Sequence, residues 1–189
     1  MDRVVIDECH TVLDSKPDFR PEMRKAGAVM MERGVQMVYL TATLSPSKED
    51  EFMDIMKVQI ADDCKFRGCT SRPNIAYSVV EHDDEQIEAV CRLVAEKLEQ
   101  YPSLAKIIMY SSSINTIKEL GGALDCHMYY ADVGSNKEKD KIQWRWGHAD
   151  GPVIVASNAF GLGIDEPNVR AVIHVGPIYQ LGDYGQESG

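Results

Sequence analysis

The sequence predicts an α/β fold with parallel sheets, and three observations support this fold class. Apolar runs of four or five residues, a length typical of buried strands, alternate with segments of helical periodicity. Acidic, hydroxyl or glycine residues follow several of these runs, as is usual where a parallel strand ends at a ligand site. The 189 residues are 44% hydrophobic and 26% charged, which is the composition of a folded globular protein. Alternation of this kind indicates a parallel sheet covered by helices.

The first series of elements lies near the N-terminus. Residues 3–6 predict a buried strand, residues 22–33 a helix and residues 36–40 a second strand. Ser45 followed by a proline is typical of a helix start with Ser45 as the N-cap. We therefore expect a helix that begins there and runs through Met56.

A segment without helical periodicity, residues 62–74, separates this series from a second one. Because it contains Cys, Gly, Ser and Pro, it predicts a linker between two domains, 1–70 and 71–189. The second series begins near Ala76. A helix follows whose apolar face has spacings of three and four, namely Ile87, Val90, Cys91, Val94 and Leu98. Strands are predicted over residues 106–110, 152–156 and 171–175, and helices near residues 114–124 and 136–146.

Charge and cysteine content argue against several classes of protein. The formal charge is −10, from 20 basic and 30 acidic residues, so any contact with nucleic acid must come from a few placed residues. Five cysteines without paired spacing argue against both a disulfide framework and a zinc site. The apolar runs are far shorter than the roughly 20 residues that span a bilayer. Since no signal-peptide pattern is visible either, we expect an intracellular protein.

Polar residues suited to chemistry follow three of the predicted strands. After the first strand, Asp7 could hold Mg²⁺ through water while Glu8 orients an attacking water. Thr41 and Thr43 follow the second strand and should lie at the same edge of the sheet. Residues 157–165 form a loop with two glycines and an acid, which would let the backbone approach a phosphate. From the residues alone, the alternatives are a solvated strand end, a helix cap and a tight turn without a ligand.

In this order along the chain, these segments resemble the motor region of superfamily 2 helicases, and within them the RecQ-type DNA helicases. The matching segments are residues 7–10 (Asp-Glu-Cys-His, motif II), 41–43 (Thr-Ala-Thr, motif III), 72–77 (the start of the second motor domain), 107–113 (motif IV), 157–174 (motif V) and 184–189 (the opening of motif VI). The resemblance covers nearly the whole chain. It implies tandem RecA-like domains of the P-loop NTPase type, the first truncated, that clamp ATP and Mg²⁺ and move 3′-to-5′ on DNA.

The resemblance also implies a role for each matched residue. Asp7 would hold Mg²⁺ through water, Glu8 would position or deprotonate the attacking water, and His10 completes the catalytic set. Thr41 and Thr43 would work with His10 to relay the state of the nucleotide to the DNA groove. Two further sets are implied: nucleotide contacts by Gly163, Asp165 and Gln186, and DNA contacts by Phe19, Arg20, Ser111 and Ser157. For Phe19, a hydrophobic anchor at a helix start is the alternative.

The sequence departs from the helicase pattern in two places that bear on activity. No phosphate-binding loop of the form G-x-x-x-x-G-K-[ST] occurs, and the family's motif VI arginines would follow Gly189. We therefore expect a fragment that is inactive alone and needs the missing N-terminal half of its first domain. The alternatives are a catalytically dead remnant that binds DNA or a protein, and a superfamily 2 branch that acts on RNA.

The remaining expectations concern partners and location, and they come from the resemblance. Single-stranded DNA and duplex junctions are the expected partners, ATP and Mg²⁺ the expected cofactors, and no membrane contact is expected. DNA as the substrate implies a nuclear protein that serves repair and recombination.

Overall fold

The computed structural model describes two separate units, Met1–Tyr77 and Ser78–Gly189. It describes residues 3–14, 29, 32, 34–69, 72–101, 103–148, 151–161, 164, 166–178 and 181–188, apart from the side chains of residues 181, 183 and 186. The predicted domain boundary lies at residues 70 and 71, whereas the two units divide at residues 77 and 78. Among the described residues, no helix has the length and apolar character needed to cross a membrane.

The first unit contains a two-stranded parallel sheet. Its elements are β1 (Arg3–Ile6), α1 (Thr11–Asp14), β2 (Gln36–Tyr39), a 3₁₀ helix (Pro46–Lys48), α2 (Glu49–Met56) and a second 3₁₀ helix (Asp62–Cys64). Arg3 lies opposite Gln36 and Ile6 lies opposite Tyr39, so both strands end at the same edge. Both predicted strands are confirmed. The predicted helix over residues 22–33 lies mostly outside the described residues, of which Val29 and Glu32 are helical.

The start of α2 differs from the prediction. Ser45 does not cap the helix, because its hydroxyl lies 3.0 Å from the Ser47 hydroxyl instead of accepting a backbone N–H. One 3₁₀ turn follows, and the α-helix begins only at Glu49, where three successive acidic residues favour a helix N-terminus. The predicted end at Met56 is confirmed, since Lys57 stops the helix with a left-handed backbone conformation, φ 56°.

The core of the first unit lies on one side of its sheet. Five side chains make up its buried cluster: Cys9, Val12, Phe52, Met56 and Val58. The Tyr39 ring packs edge-on against Phe52, with the ring centroids 5.3 Å apart. In contrast, Val5 in β1 is 53% exposed and Leu40 after β2 is 47% exposed. Apolar surface on this unit is therefore left uncovered within the described residues.

The second unit contains a four-stranded sheet in which all strands are parallel, in the order β4-β5-β3-β6. Its elements are α3 (Gln86–Gln100), β3 (Lys106–Tyr110), α4 (Ile114–Ala123), β4 (His127–Tyr129), α5 (Asn136–His148), β5 (Val153–Ala156), β6 (Val169–His174) and α6 (Leu181–Glu187). The helices and the strands predicted near residues 106, 152 and 171 are confirmed. The prediction that regular structure begins near Ala76 is wrong, because the described residues between 72 and 85 contain neither helix nor strand.

Both faces of the second sheet are buried. Ile107 and Met109 of β3 point into a cluster with Val90 and Val94 of α3 and with α4. The alternate residues Ile108 and Tyr110 point into a second cluster on the opposite face. That second cluster includes Ile154, Phe160 and Trp146 of α5. Leu98, predicted on the apolar face of α3, is 37% exposed at the end of the helix and does not belong to the core.

Candidate functional site

The predicted catalytic residues of the first unit lie where β1 and β2 end. Backbone pairing continues past the strands, because the Leu40 N–H donates to the Ile6 carbonyl (2.9 Å) and the Cys9 N–H donates to the Leu40 carbonyl (3.0 Å). These two bonds fix the residues after β1 beside the residues after β2. The geometry therefore brings His10 to Thr41, which is 31 positions away in the sequence.

The His10 ring joins the two strand ends. Its Nδ1 lies 2.9 Å from the Thr41 hydroxyl and 3.2 Å from Oε2 of Glu8. The Thr41 hydroxyl also accepts a hydrogen bond from the Thr43 N–H at 3.2 Å. A single ring nitrogen thus faces both a carboxylate and a hydroxyl.

Glu8 has an unusual backbone conformation for a residue other than glycine. Its φ is 47°, in the left-handed region, which costs on the order of 1 kcal/mol for a residue with a side chain. Its N–H donates to Oδ1 of Asp7 at 2.9 Å, which holds the two carboxylates in a defined relation. Strain of this kind recurs at active sites, and in this chain it also occurs at Lys57 and Asp125, where helices end.

Three polar atoms near the strand ends are buried without a hydrogen-bond partner among the described residues. They are Oε2 of Glu8, which has only the ring contact of His10, and the hydroxyl oxygens of Thr43 and Tyr39. Buried polar atoms in folded proteins are nearly always paired. The edge therefore has the character of a site that receives a polar ligand.

The carboxylates fit a magnesium ion that is held mainly by water and phosphate. Asp7 is exposed and Glu8 is half-exposed, so both can face a hydrated ion. Mg²⁺ in nucleotide sites typically takes only one or two carboxylates and keeps several waters. Within the described part of the chain there is no group of three or more His, Cys, Asp or Glu side chains suited to a metal. A site completed by the phosphates of a nucleotide is consistent with both observations.

Cys9 lies between the motif's charged residues but takes no part in their chemistry. It is buried in the core below the sheet edge. Burial raises the pKa of its thiol to about 11, with further contributions from the nearby carboxylates of Glu8 and Asp7. The thiol is therefore neutral at physiological pH and acts as a packing group.

In the second unit, the predicted DNA-contacting hydroxyls lie at the corresponding edge of the larger sheet. The Ser111 N–H donates to the Ala156 carbonyl and the Ser157 N–H to the Tyr129 carbonyl, both at 2.9 Å. Ser111 is 7% exposed, and its hydroxyl accepts from the N–H of Ser113 at 3.3 Å. The Ser157 hydroxyl accepts from the Ala159 N–H at 3.3 Å. Each hydroxyl therefore stabilises the turn that follows a strand, and Ser157 is the more accessible of the two.

Residues that the sequence reasoning did not single out form a network at the same edge. Tyr110 ends β3, and its hydroxyl donates to the Phe160 carbonyl in the motif V loop at 3.2 Å. Its ring stacks on His174, the last residue of β6, with centroids 5.8 Å apart. Nδ1 of His174 lies 3.2 Å from Oε2 of Glu187 in α6. The three segments that resemble motifs IV, V and VI therefore share one set of side-chain contacts.

Burial shapes the titration of this network. It lowers the pKa of His174, and it raises the pKa of the Tyr110 phenol, to which the charge of Glu187 adds. A cavity of about 150 Å³ adjoins the two rings. Eleven residues line it: Tyr110, Ser111, Ser112, Asn158, His174, Val175, Gly176, Pro177, Ile178, Tyr184 and Glu187. Tyr110 and His174 each end a strand, and that shared position is the signal by which the sequence could have identified them.

The remaining predicted site residues are only partly described. A Cβ on Gly161 would lie 3.2 Å from the Tyr110 hydroxyl oxygen, so a larger residue would crowd the loop. Gln186 lies in α6, although its side chain is outside the described residues. Gly163 and Asp165, assigned to the nucleotide, also lie outside them, as do Phe19 and Arg20, assigned to DNA.

Known proteins share both the sequence pattern and the fold. The helicase conserved C-terminal domain family matches residues 85–189. The chain is 32% identical to the ATP-dependent DNA helicase Q-like 2 of Arabidopsis thaliana over 98% of its own length and 27% of that protein. It is also 32% identical to the RecQ-like DNA helicase BLM of Xenopus laevis, over 99% of its length and 14% of that protein. The chain thus spans less than a third of either relative.

A solved structure supports the fold class. The S. cerevisiae protein Dbp5, determined with RNA and ADP-BeF3, matches 100% of this chain and 49% of its own, with a TM-score of 0.71 and 15% identity. At that identity the likeness concerns the fold alone. Together with the parallel sheets, it confirms the predicted RecA-like α/β class. The chain belongs to the helicase conserved C-terminal domain family, and its sequence relatives are RecQ-type DNA helicases.

Proposed function

We propose that this chain is part of an ATP-dependent DNA helicase of RecQ type, which couples ATP hydrolysis to 3′-to-5′ movement and unwinding. The observation that carries the proposal is the contact of His10 with both Glu8 and Thr41 at the end of the first sheet. Coupling requires a residue that contacts both the carboxylate acting in hydrolysis and the neighbouring strand end. The ring of His10 makes both contacts. The relatives named above are DNA helicases, which supports DNA over RNA as the substrate.

The roles within this proposal come from the helicase resemblance, and the contacts of Glu8, His10 and Thr41 support those of the first unit. Asp7 holds Mg²⁺ through water, and bound ATP and Mg²⁺ supply the phosphoryl group and the charge that neutralises it. Glu8, aimed by its left-handed backbone, accepts a proton from the attacking water or orients it. His10, Thr41 and Thr43 relay the change. In the second unit, the resemblance assigns Gly163, Asp165 and Gln186 to the nucleotide. It assigns Ser111 and Ser157 to the DNA backbone.

The test is a substitution of the proposed base in a polypeptide that joins this chain to an upstream phosphate loop and the downstream arginines of motif VI. Glu8→Gln keeps the size and removes the charge, and it should lower DNA-stimulated ATP hydrolysis by about 10²- to 10⁴-fold. Glu51→Gln is the matched control, because Glu51 is exposed on α2 and pairs only with Lys48 among the described residues. Unchanged hydrolysis in the Glu8 variant would refute the assigned role.

The relay requires a different measurement. Thr41→Val removes the hydroxyl that faces His10 and keeps the side-chain volume. We expect unwinding per ATP hydrolysed to fall severalfold, while basal hydrolysis changes less. Equal losses in both quantities would show that Thr41 supports the fold of the edge and relays nothing.

Nuclear location and service in repair and recombination stay predictions. Fluorescence microscopy of the tagged protein in its native cells tests the first of them. The alternative of a catalytically dead remnant predicts that the 189-residue chain is the mature product. Intact-mass measurement of the native polypeptide, followed by binding of an ATP analogue, separates that alternative from the helicase.

A further inference from the structure

Helix α5 differs in charge from the rest of the chain. It carries four basic residues and two acidic ones, in a protein whose net charge is −10. It also carries both tryptophans of the chain. Trp146 is 1% exposed and packs against Phe160 in the core, whereas Trp144 is 59% exposed. A large aromatic ring on the solvent side of a basic helix is the feature that needs explanation.

The exposed ring belongs to a stripe along the helix. Lys137, Lys141, Trp144 and His148 follow one another at spacings of four, three and four, which places them on one face over about three turns. All four residues are exposed. We call this set the α5 stripe. The stripe lies on the side of the helix opposite the buried Trp146, so it does not contribute to the core.

The two aromatic rings of the stripe stack on each other. The rings of Trp144 and His148 are stacked, with centroids 5.1 Å apart and an angle of 12° between their planes. Nδ1 of His148 also lies 3.1 Å from the Trp144 carbonyl oxygen, which fixes the imidazole against the helix. His148 therefore covers part of one face of the Trp144 ring, and Trp144 still remains 59% exposed. Exposed aromatic rings that are held in place are what unpaired bases stack on.

The cations beside the ring point to an anionic partner. Within the described residues neither Lys137 nor Lys141 is in an ion pair, whereas Lys139 is taken up by the Ala131 carbonyl. Of the acidic residues of α5, Glu138 is held by hydrogen bonds from Ser135, which together with a smaller contribution from Lys141 lower its pKa. Asp140 lies three residues after Lys137 and four before Trp144, so it neighbours both on the helix surface. Since Ser135 engages the Glu138 carboxylate, the two lysines of the stripe outnumber the one remaining carboxylate beside the ring.

We propose that the α5 stripe is a binding surface for single-stranded DNA, separate from the strand-end contacts of Ser111 and Ser157. A base would stack on Trp144, and the flanking phosphates would lie against Lys141 and Lys137. Stacking together with a few cations suits a single strand, because a duplex does not offer its base faces. The inference rests on the proposed function for DNA as the substrate, although the binding itself can be measured without ATP hydrolysis.

The two tryptophans provide the test with the 189-residue chain. Because Trp146 is buried, a change in emission on adding a twelve-nucleotide oligothymidylate reports on Trp144. We expect quenching at low salt, and the logarithm of the affinity should fall with the logarithm of salt concentration by about 0.7 per phosphate contacted. No quenching at low salt would overturn the proposal.

Variants distinguish the stripe from binding elsewhere on the chain. Trp144→Ala should weaken binding of a labelled oligothymidylate by about tenfold, as expected for the loss of one stacked base. Trp144→Phe should retain most of the affinity and lose the quenching signal. Lys141→Glu should weaken binding severalfold, whereas Lys97→Glu, the same charge change on α3, should not. Equal effects of the two lysine changes would overturn the proposal.

Two further outcomes are decisive. Quenching by polyglutamate without quenching by oligothymidylate would identify an acidic polypeptide as the partner and overturn the DNA assignment. A loss of ATP hydrolysis in the Glu8→Gln protein with the α5 quenching intact would support both proposals separately. Far-ultraviolet circular dichroism of each variant establishes that the chain is folded before binding is measured.

Discussion

The two units of the chain bury their sheets to different degrees. In the second unit, β3 and β5 have other strands on both sides and buried clusters on both faces. In the first unit, β1 and β2 pair only with each other among the described residues, and their core covers one face. Nevertheless, the edge that carries Glu8 and His10 is well defined, because backbone hydrogen bonds of Leu40 to Ile6 and Cys9 hold it. Local backbone hydrogen bonds can therefore set the geometry of a site. The stability of the surrounding unit depends instead on how much of its apolar surface is buried.

The largest expected difference between the units concerns core truncation. Ile154 in β5 is fully buried, so Ile154→Ala should lower the free energy of unfolding by about 3 kcal/mol through lost burial and a cavity. Val5→Ala on the exposed face of β1 should cost about 0.5 kcal/mol. Urea unfolding followed by circular dichroism measures both. Similar losses at the two positions would mean that the exposed face of β1 is covered in solution.

The next largest difference is expected in the hydrogen-exchange rates of backbone amides in the two sheets. The Leu40 N–H donates to Ile6 at 2.9 Å, and the Ile107 N–H donates to Pro152 at 2.8 Å, so the two bonds are nearly equal in length. We expect the Ile107 amide to exchange about 100-fold more slowly, because exchange follows the opening of the surrounding unit and not the bond length. Exchange measured by nuclear magnetic resonance gives both rates. Equal protection would contradict the difference between the units.

A pair of adjacent glycines sharpens the description of the better-packed unit. Gly121 in α4 faces the Met128 side chain so closely that a Cβ would overlap it, whereas a Cβ on Gly122 would meet open space. Gly121→Ala should therefore destabilise the chain by about 1 to 2 kcal/mol. Gly122→Ala should stabilise it by about 0.5 kcal/mol, since alanine favours a helix interior. Thermal unfolding of the two variants should shift in opposite directions.

The smallest effect is a pH dependence specific to the second unit. Burial lowers the pKa of His174 below its ordinary value of 6.5, so the unfolded chain binds more protons than the folded one just below that pH. The stability contributed by this residue is thus present above pH 6.5 and lost as the pH falls. His174→Gln should flatten the dependence between pH 5 and 7 in unfolding experiments. The groups that face the ring are Glu187, Ser188, Tyr110 and Tyr184. Because a carboxylate favours the protonated ring, Glu187→Gln should strengthen the pH dependence.

Much of the fold could be predicted from residue patterns. The strands Arg3–Ile6 and Lys106–Tyr110 match their predicted bounds, since continuous apolar runs indicate strands buried in a parallel sheet. β4 was not predicted because three residues are too few to show an alternating pattern. The failed cap at Ser45 has a similar cause. The Ser45 hydroxyl can bond either a backbone N–H of the helix or the hydroxyl of Ser47, and the sequence does not decide between these two partners.

The candidate site was predictable as far as the strand order allowed. Parallel strands end at one edge, so the proximity of Asp7 and Glu8 to Thr41 followed from the pattern. The contact between His174 and Glu187 could not be predicted, because it depends on how α6 is rotated against β6. The stacking of Trp144 on His148 was missed for another reason. The spacing of the tryptophans showed only that they lie on different faces, and it left undecided which one is exposed.

The buried thiol of Cys9 also provides a chemical probe of the edge that carries Glu8 and His10. Alkylating reagents attack the thiolate, and a pKa of about 11 leaves little of it on Cys9 at neutral pH. Cys64 and Cys69 are exposed and should be alkylated first. The rate at which Cys9 is alkylated then reports how often the first unit opens. Binding of a nucleotide to this unit should slow the modification, which gives a mass-spectrometric binding assay that requires no turnover.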